Sequence, residues 1–291
     1  MPDSHLWSWS VSELYGVVIG MFRRLGIFPD TMPVAEGCLV AFLDDVRAGY
    51  LDNPYHSFAH GVDVASVVYN FLHMPYTMAW LTPLDRVSMM IAALCHDIGH
   101  PGLNNVYQVN ARTELAQRYE NISVLERYSC DLAKELLEKH DLLRWIPQSF
   151  AELETRMCET IVYTDMKFHF ELLEQLHQLH GCSITAAPTD PLPSRQRSIL
   201  CSILLHAADI SNTARPWAVS KWWSESINAE FRHQSIRERE EGLPLSPGLD
   251  RPDEEQLAGN IDFAELVRPF YVGLAELIPE MRPFLQNLDS N

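Results

Sequence analysis

The chain has 291 residues, 47% of them hydrophobic, which is enough for one large domain, and we expect a single domain over residues 1–291. No stretch is apolar enough to cross a bilayer and no secretory signal pattern is present, so we expect a cytoplasmic protein without membrane insertion. The formal net charge of −17, from 39 acidic and 22 basic residues, opposes nucleic-acid binding, which needs clustered Lys and Arg. A small phosphate substrate stays compatible with this charge if bound cations reverse the local field.

The six cysteines are far apart in the sequence and form no C-x-x-C pair. This spacing argues against a disulfide framework and against a thiolate zinc site, and it favours a reducing compartment. The cysteines are Cys38, Cys95, Cys130, Cys158, Cys182 and Cys201.

Apolar residues recur along the chain at the three- and four-residue steps of an α-helix. The first such run covers residues 62–72. The next begins at Pro83, with Thr82 as its cap, and stops at Gly99 and Pro101. Further runs cover 125–143, 157–179, 199–208, 222–231 and 263–281, whereas the Pro- and Gly-rich segments 180–196 and 240–255 predict loops. Strand alternation of any length is missing, so the sequence predicts an all-α fold.

Histidines and aspartates gather where three of these helices begin or end. His56 and His60 are four residues apart and lie on one helical face if Ser57 begins a helix. One of them can then ligate a metal while the other stays free for acid–base chemistry. Such a pair alone is more often a surface or core pair than a metal site.

The second group is His96-Asp97, at the end of the helix that Thr82 caps. A neutral imidazole nitrogen and a carboxylate that converge on one cation suit zinc, and the second carboxylate oxygen can bridge to a harder ion. His100 follows one turn later and can face the same side. Asp209 closes the apolar run 199–208, where an ionisable group needs a partner. Three such groups in one helical chain indicate a metal site.

These motifs resemble those of the class I cyclic-nucleotide phosphodiesterases, over nearly the whole length of the chain. The family signature H-D-(apolar)-x-H-x-(A/G)-x-x-N-x-(apolar or aromatic) is filled from His96 to Tyr107, with Gly102 and Asn105 in place. The family's opening motif is similar to Tyr55-His56-Ser57-Phe58-Ala59-His60. Its E-F-x-x-Q…E-R…G…P-x-x-D stretch is similar to Glu230-Phe231, Gln234, Glu238-Arg239, Gly242, Pro247 and Asp250.

The resemblance implies a compact HD-type metallophosphohydrolase domain of about sixteen helices with two metals in a deep pocket. It implies hydrolysis of 3′,5′-cyclic nucleotides to 5′-monophosphates by a hydroxide that the two metals activate. Cyclic AMP is the expected substrate and cyclic GMP the alternative. Regulatory domains of the parent protein would lie outside this chain.

The resemblance also implies roles for individual residues. A zinc ion would be held by His60, His96, Asp97 and Asp209. Asp97 would bridge to a second ion, Mg²⁺ or Mn²⁺, whose waters would be oriented by His100, Glu126 and Thr164. His56 matches the general acid. Asn212, Ile227 and Gln256 would surround the base.

Two segments depart from the family pattern. After Glu126 the family usually has Asn-His-His, whereas residues 127–129 here are Arg-Tyr-Ser. The purine-binding segment usually reads Gln-x-(Gly/Ser)-Phe before Ile-Asp, and counting back from residues 261–262 places Leu257 at the glutamine and Asn260 at the stacking Phe. Gln256 therefore fits only with a register shift of one residue, and Phe263 would supply the aromatic face.

Simpler interpretations stay open for several of these residues. Ile227 can be core packing, Gln256 a solvated loop residue, and Asn212 a helix C-cap. Glu126 can be a surface charge, and Thr164 can bond its own helix backbone. For the whole chain the rivals are an HD hydrolase of nucleoside triphosphates, an inactive nucleotide sensor and a scaffold around a structural metal. A triphosphate hydrolase needs clustered basic residues around its substrate. An inactive sensor would be expected to have lost a metal ligand or the general acid, and a structural metal site is usually closed by Cys and His.

Overall fold

Every regular element in the described chain is helical. The computed structural model describes residues 6–33, 35–142, 150–181, 190–249 and 256–291. These residues contain fourteen α-helices and no strand, so the all-α prediction is confirmed. No helix in the described ranges is long and apolar enough to span a bilayer.

The helices follow one another with short connections. The first seven are α1 (Val11–Arg24), α2 (Glu36–Gly49), α3 (Phe58–Leu72), α4 (Pro75–Trp80), α5 (Pro83–Cys95), α6 (Asn105–Asn110) and α7 (Glu114–Arg118). The next seven are α8 (Val124–Lys139), α9 (Phe150–Val162), α10 (His169–Gly181), α11 (Ser194–Asp209), α12 (Trp217–Glu240), α13 (Gln256–Leu277) and α14 (Arg282–Ser290). Short 3₁₀ turns cover Leu6–Ser8, Met166–Phe168, Ile210–Ala214 and Pro279–Met281, and a π-type turn covers Ile27–Thr31.

The start of α5 is the one predicted from Thr82 and Pro83. The Thr82 hydroxyl accepts the Asp85 N–H, and the Asp85 carboxylate accepts the Thr82 N–H, which makes a capping box. The helix ends at Cys95, and Gly99 turns the chain at φ +79°, a conformation that favours glycine. These two ends place His96 and Asp97 directly after the helix.

The run predicted over 157–179 is two helices, α9 and α10, so a continuous helix was the wrong prediction. Between them the Thr164 hydroxyl donates to the Ile161 carbonyl, and the Asp165 carboxylate accepts the Lys167 N–H. These local side-chain bonds compete with the helical ladder. The apolar periodicity continues across the break because both helices face the same core.

Other boundaries differ by several residues. The run 125–143 corresponds to α8, which ends at Lys139, ahead of Asp141 at φ +50°. The run 222–231 is the middle of α12, and α11 and α13 begin before the predicted starts at 199 and 263. The predicted loop 180–196 gives way to α11 at Ser194. Tertiary packing extends these helices beyond the segments whose periodicity is clear.

Helix α3 lies at the centre of the fold, with α5 and α11 packed against it. Gly61 permits a close approach of α3 to the end of α5, since a Cβ there would stand 2.8 Å from the Tyr50 hydroxyl and 3.3 Å from the Leu94 carbonyl oxygen. The Tyr50 hydroxyl donates to that same carbonyl at 3.0 Å. Because Gly61 follows His60 and Leu94 precedes His96 by two residues, this contact brings the two histidines together.

Five of the six cysteines lie in the described ranges, and all five are free thiols. Cys182 falls outside those ranges. The expectation of a reduced chain without disulfides agrees with the five that are described.

Candidate active site

Four predicted ligands from three helix ends converge at one point. His60 lies in the first turn of α3, His96 and Asp97 follow α5, and Asp209 is the last residue of α11. Their donor atoms all lie within 4.8 Å of one another. Asp209 Oδ1 is 3.1 Å from His60 Nε2 and 3.2 Å from His96 Nε2. Asp97 Oδ2 is 2.9 Å from His96 Nε2 and 3.5 Å from His60 Nε2.

These separations match the coordination sphere of a tetrahedral metal. Ligands at 2.0–2.1 Å from zinc stand about 3.3 Å apart along a tetrahedron edge. The Nδ1 atom of His96 lies 3.0 Å from the Ala93 carbonyl oxygen and donates to it, so Nε2 is the nitrogen that faces the carboxylates. Burial disfavours the charged form of His96, but Asp97 and Asp209 outweigh it and raise the pKa of His96 well above its usual value. Two such carboxylates in a buried site attract a cation, and two nitrogens with two oxygens suit a divalent one.

Beside the four ligands, His56, His100 and Glu230 form a second cluster. The His56 Nδ1 atom forms a short hydrogen bond with Glu230 Oε1. The other Glu230 oxygen accepts the backbone N–H groups of Tyr55 and His56 at 3.0 and 3.1 Å. The rings of His56 and His100 stack at 3.8 Å between centroids. Glu230 therefore fixes both the ring and the backbone of His56.

The pKa values of the two stacked histidines are shifted in opposite directions. Burial would lower the pKa of His56, but the negative charges of Asp97 and Glu230 raise it to about 9. Burial and the neighbouring charge of His56 lower the pKa of His100 to about 3, and its Nδ1 accepts the Gly102 N–H. Burial works against ionisation of Glu230, yet His56 lowers its pKa to about 2. Near neutral pH, His56 is thus protonated and His100 is neutral.

Two details of the sequence interpretation were wrong. Helix α3 begins at Phe58 with Ser57 as its N-cap, so His56 precedes the helix and does not share a helical face with His60. His100 lies beyond the end of α5 and packs against His56 instead of continuing the face of His96. In the structure His60 faces the carboxylates of Asp97 and Asp209, and His56 faces Glu230.

Glu230 and Asn53 are site residues that the sequence interpretation did not single out. Glu230 appeared only as a letter of a family motif, and its position within α12 gives no periodic signal of function. The Asn53 side-chain amide donates to the carbonyls of His56 and His100 at 3.0 and 2.7 Å. Gly102 makes room for that amide, because a Cβ there would lie 2.8 Å from Asn53 Oδ1. The Asn-Pro pair before the His56 motif was the available signal for Asn53.

The residues expected to orient metal-bound waters lie on neighbouring elements. Glu126 is in the first turn of α8, and both its oxygens accept from Asn105 Nδ2 at 3.0 Å. Burial and the charge of Asp165 raise the pKa of Glu126 to about 7, so it is not an ordinary surface carboxylate. The Thr164 hydroxyl makes the helix-backbone bond that was the simpler interpretation, and the residue is buried.

The predicted base-binding residues are spread over three elements. Asn212 lies in the 3₁₀ turn after α11 and is not its C-cap, which is Ile210, and its buried Oδ1 has no hydrogen-bond partner. Ile227 packs against the cluster of Tyr55, Val219 and Trp223, whereas Phe263 packs against the main core. The side chain of Gln256 lies outside the described residues.

A cleft of about 400 Å³ opens beside the His56–Glu230 pair. Its walls include Asn53, Gly102 and Glu230, and its rim includes His233 and Arg237. The cleft therefore reaches Glu230, whereas His56 is not among the residues that line it.

Comparison with known proteins identifies the family to which the chain is similar. The family model described as 3′5′-cyclic nucleotide phosphodiesterase matches residues 55–288. The chain is 34% identical over 287 residues to the high affinity cGMP-specific 3′,5′-cyclic phosphodiesterase 9A of Drosophila melanogaster, covering 97% of this chain and 18% of the relative. It is 32% identical over 292 residues to the 3′,5′-cyclic-nucleotide phosphodiesterase regA of Dictyostelium discoideum, covering 98% and 36%.

Solved structures agree with the sequence relatives. The phosphodiesterase domain of the RhoPDE fusion protein from the choanoflagellate Salpingoeca rosetta matches with a TM-score of 0.94 at 30% identity, covering 100% of this chain and 92% of that one. LmjPDEB1 in complex with IBMX matches with a TM-score of 0.91 at 27% identity, covering 100% and 90%. The described residues thus form an all-helical fold with a candidate His/Asp metal site. The chain belongs to the 3′,5′-cyclic nucleotide phosphodiesterase family, and it spans only 18%, 52% and 36% of the length of three curated relatives that it matches.

Proposed function

We propose that this chain hydrolyses 3′,5′-cyclic nucleotides to nucleoside 5′-monophosphates at the cluster described above. The observation that carries the proposal is the convergence of two imidazoles and two carboxylates beside a histidine held in its protonated form. His60, His96, Asp97 and Asp209 would hold zinc, and Asp97 would reach a second ion, Mg²⁺ or Mn²⁺. His100, Glu126 and Thr164 would orient the waters of that second ion.

The chain's own residues supply the proton and the positioning. Bound divalent cations acidify a water molecule and neutralise charge on the phosphate. The leaving O3′ needs a proton, and His56 can donate one from Nε2 because Glu230 accepts from its Nδ1. Glu230 also binds the backbone N–H groups of Tyr55 and His56, so it fixes the position of the donor.

The rival functions fit the site less well. An inactive sensor would be expected to have lost a ligand or the acid, yet all five residues are present and converge. A structural metal would sit in a closed sphere, whereas the Asp97 and Asp209 side chains are 14% and 19% exposed. A triphosphate hydrolase needs Lys or Arg residues gathered around its substrate. The side chains named as causes of the pKa shifts of Asp97 and Asp209 are instead histidines and an aspartate.

Removal of a metal ligand tests the proposal directly. We expect close to one tightly held zinc per chain, lost together with turnover in Asp209→Ala, whose carboxylate approaches both histidines. Asp289→Ala, which breaks an exposed ion pair with Arg268, is the matched control and should keep both the bound zinc and the turnover. Elemental analysis and a turnover assay with both cyclic nucleotides measure the outcome. Undiminished turnover of metal-free protein would refute the proposal.

The pH dependence tests the partnership of His56 and Glu230. A general acid works only while it is protonated, so activity should fall as the pH rises through the pKa of His56. Because the negative charge of Glu230 raises that pKa, Glu230→Gln should move the fall to lower pH. The pH profile of kcat, compared between the wild type and this variant, measures the shift. If the fall of kcat at high pH occurs at the same pH in Glu230→Gln, it is caused by the titration of another group.

Base recognition is proposed for Asn212, Ile227, Gln256 and Phe263. Asn212 offers a buried acceptor without a partner, which a ligand can satisfy. An amide such as Gln256 presents both a donor and an acceptor, and it matches adenine or, flipped, guanine. We propose cyclic AMP as a substrate, and the names of relatives specific for cyclic GMP make that nucleotide the second candidate.

Loss of the Gln256 amide should weaken binding of the preferred nucleotide. We expect Gln256→Ala to raise KM about tenfold, which corresponds to roughly 1–3 kcal/mol for an unsatisfied buried group. Metal content should not change, and Gln178→Ala on the exposed face of α10 serves as the control. Steady-state kinetics with cyclic AMP and cyclic GMP give the result. An unchanged KM and preference would show that another residue reads the base.

A further inference from the structure

A chain of aromatic contacts leads from the N-terminal 3₁₀ turn to the metal ligand His60. Trp7 stacks on Trp222 with 4.2 Å between ring centroids and 6° between the planes. Trp222 meets Trp223 edge to face at 4.6 Å, and Trp223 meets His60 in the same way at 5.3 Å. Four rings in direct succession thus connect the turn Leu6–Ser8 to the proposed zinc site.

The inner end of this chain also touches the general acid. The Tyr55 ring lies 4.5 Å from His60, 4.9 Å from His56 and 5.4 Å from Trp223. Tyr55 is buried and Trp223 is fully buried. The orientations of a metal ligand and of the proton donor therefore depend on one small aromatic cluster that is separate from the main core.

The outer end of the cluster is tied to the main core through the residue next to Trp7. Leu6 inserts into the main core and is 1% exposed, and its turn packs against α3, the helix that carries His60. Trp7 leaves that turn towards α12 and covers Trp222. The turn thus ties α3 to α12, and α12 in turn carries Glu230.

We propose that Trp7, stacked on Trp222, is a positioning residue of the active site. It holds Trp223 and Tyr55 against His60, and thereby fixes the plane in which His60 presents Nε2 to the metal. Groups that orient metal ligands from outside the coordination sphere typically change metal affinity or activity by about 10–100-fold when removed. Stacked aromatic pairs are suited to this role because they are stiff and their geometry is directional.

This inference rests on the proposed function, because it assumes that His60 binds zinc. Trp7→Ala should release zinc to a chelator about tenfold faster than the wild type and lower kcat with little change in KM, since no base contact is involved. Trp7→Phe should restore most of both values, because a phenyl ring can still stack on Trp222. Trp9→Ala is the matched control, since Trp9 is 36% exposed and two residues away. We expect it to behave as the wild type.

Zinc release is measured by chelator competition, and the visible spectrum of the cobalt-substituted protein reports the ligand geometry without turnover. In Trp7→Ala that spectrum should change, and Trp222→Leu should reproduce the change. The inference is overturned if zinc release and kcat in both variants stay within twofold of the wild type and the spectrum is unchanged. This holds whatever the melting temperatures of the two variants are. A wild type that holds no zinc and turns over no cyclic nucleotide would refute the proposed function instead.

Discussion

The substitution His56→Ala should lower kcat for a cyclic nucleotide by about 10²–10⁴ while the bound zinc is retained. The reason is the poor leaving group, because O3′ departs as an alkoxide unless a proton arrives. In the proposed mechanism His56 delivers that proton: its pKa is raised to about 9 by Asp97 and Glu230 against the effect of burial, and its Nδ1 is bound to Glu230. Steady-state kinetics and elemental analysis of the same preparation measure the two quantities.

A second variant separates proton donation from packing. His56→Gln can still hydrogen-bond Glu230 but has no proton to give near neutral pH, so its kcat should fall as far as that of the alanine variant. With a phosphodiester that releases a nitrophenolate, both variants should recover much of the loss, because that leaving group needs no proton. His73→Ala is the control, since His73 is an exposed histidine bonded to the Tyr69 carbonyl. Loss of zinc from His56→Gln would make His56 a ligand and reverse the roles of His56 and His60.

The substitution Arg215→Leu should lower the free energy of unfolding by about 3–5 kcal/mol. The guanidinium of Arg215 is fully buried and donates to both oxygens of Asp63, each at 3.3 Å. Its removal leaves the Asp63 carboxylate in the interior of α3, one turn after His60, with its charge uncompensated. Denaturant unfolding of the metal-free protein measures the change without the added stability of bound zinc.

Two comparisons test that explanation. Arg23→Leu breaks an exposed pair with Glu36, whose side chains are 53% and 48% exposed, and should cost less than about 1 kcal/mol. The double variant Asp63→Leu with Arg215→Leu should regain part of the stability, because no charge remains buried. A cost for Arg215→Leu no larger than that for Arg23→Leu would mean that Asp63 is compensated by other groups.

The same pair is a contact between α3 and the segment after α11 that the sequence did not predict. Asp63 is on α3, and Arg215 follows the 3₁₀ turn that begins after Asp209, 152 residues further along the chain. Each is unremarkable in its own segment, and only packing of α3 against α11 makes them partners. The C-terminal helix adds to this arrangement, because Asn287 and Asn291 donate to the carbonyls of Ala214 and Thr213.

The sequence by itself determined the helical class, the cap at Thr82 and the identity of the residues that converge, since helical periodicity, capping chemistry and the choice of metal-binding side chains are local properties. Only the tertiary structure decided that His56 stands outside α3, that Glu230 is its partner and that His100 stacks on it. The contact of His56 with Glu230 joins residues 174 positions apart. This contact and the stacking of His100 on His56 depend on where whole helices pack. The break between α9 and α10 was also decided only by the tertiary structure. Both helices face one core, so the apolar period in the sequence continues across the break and does not reveal it.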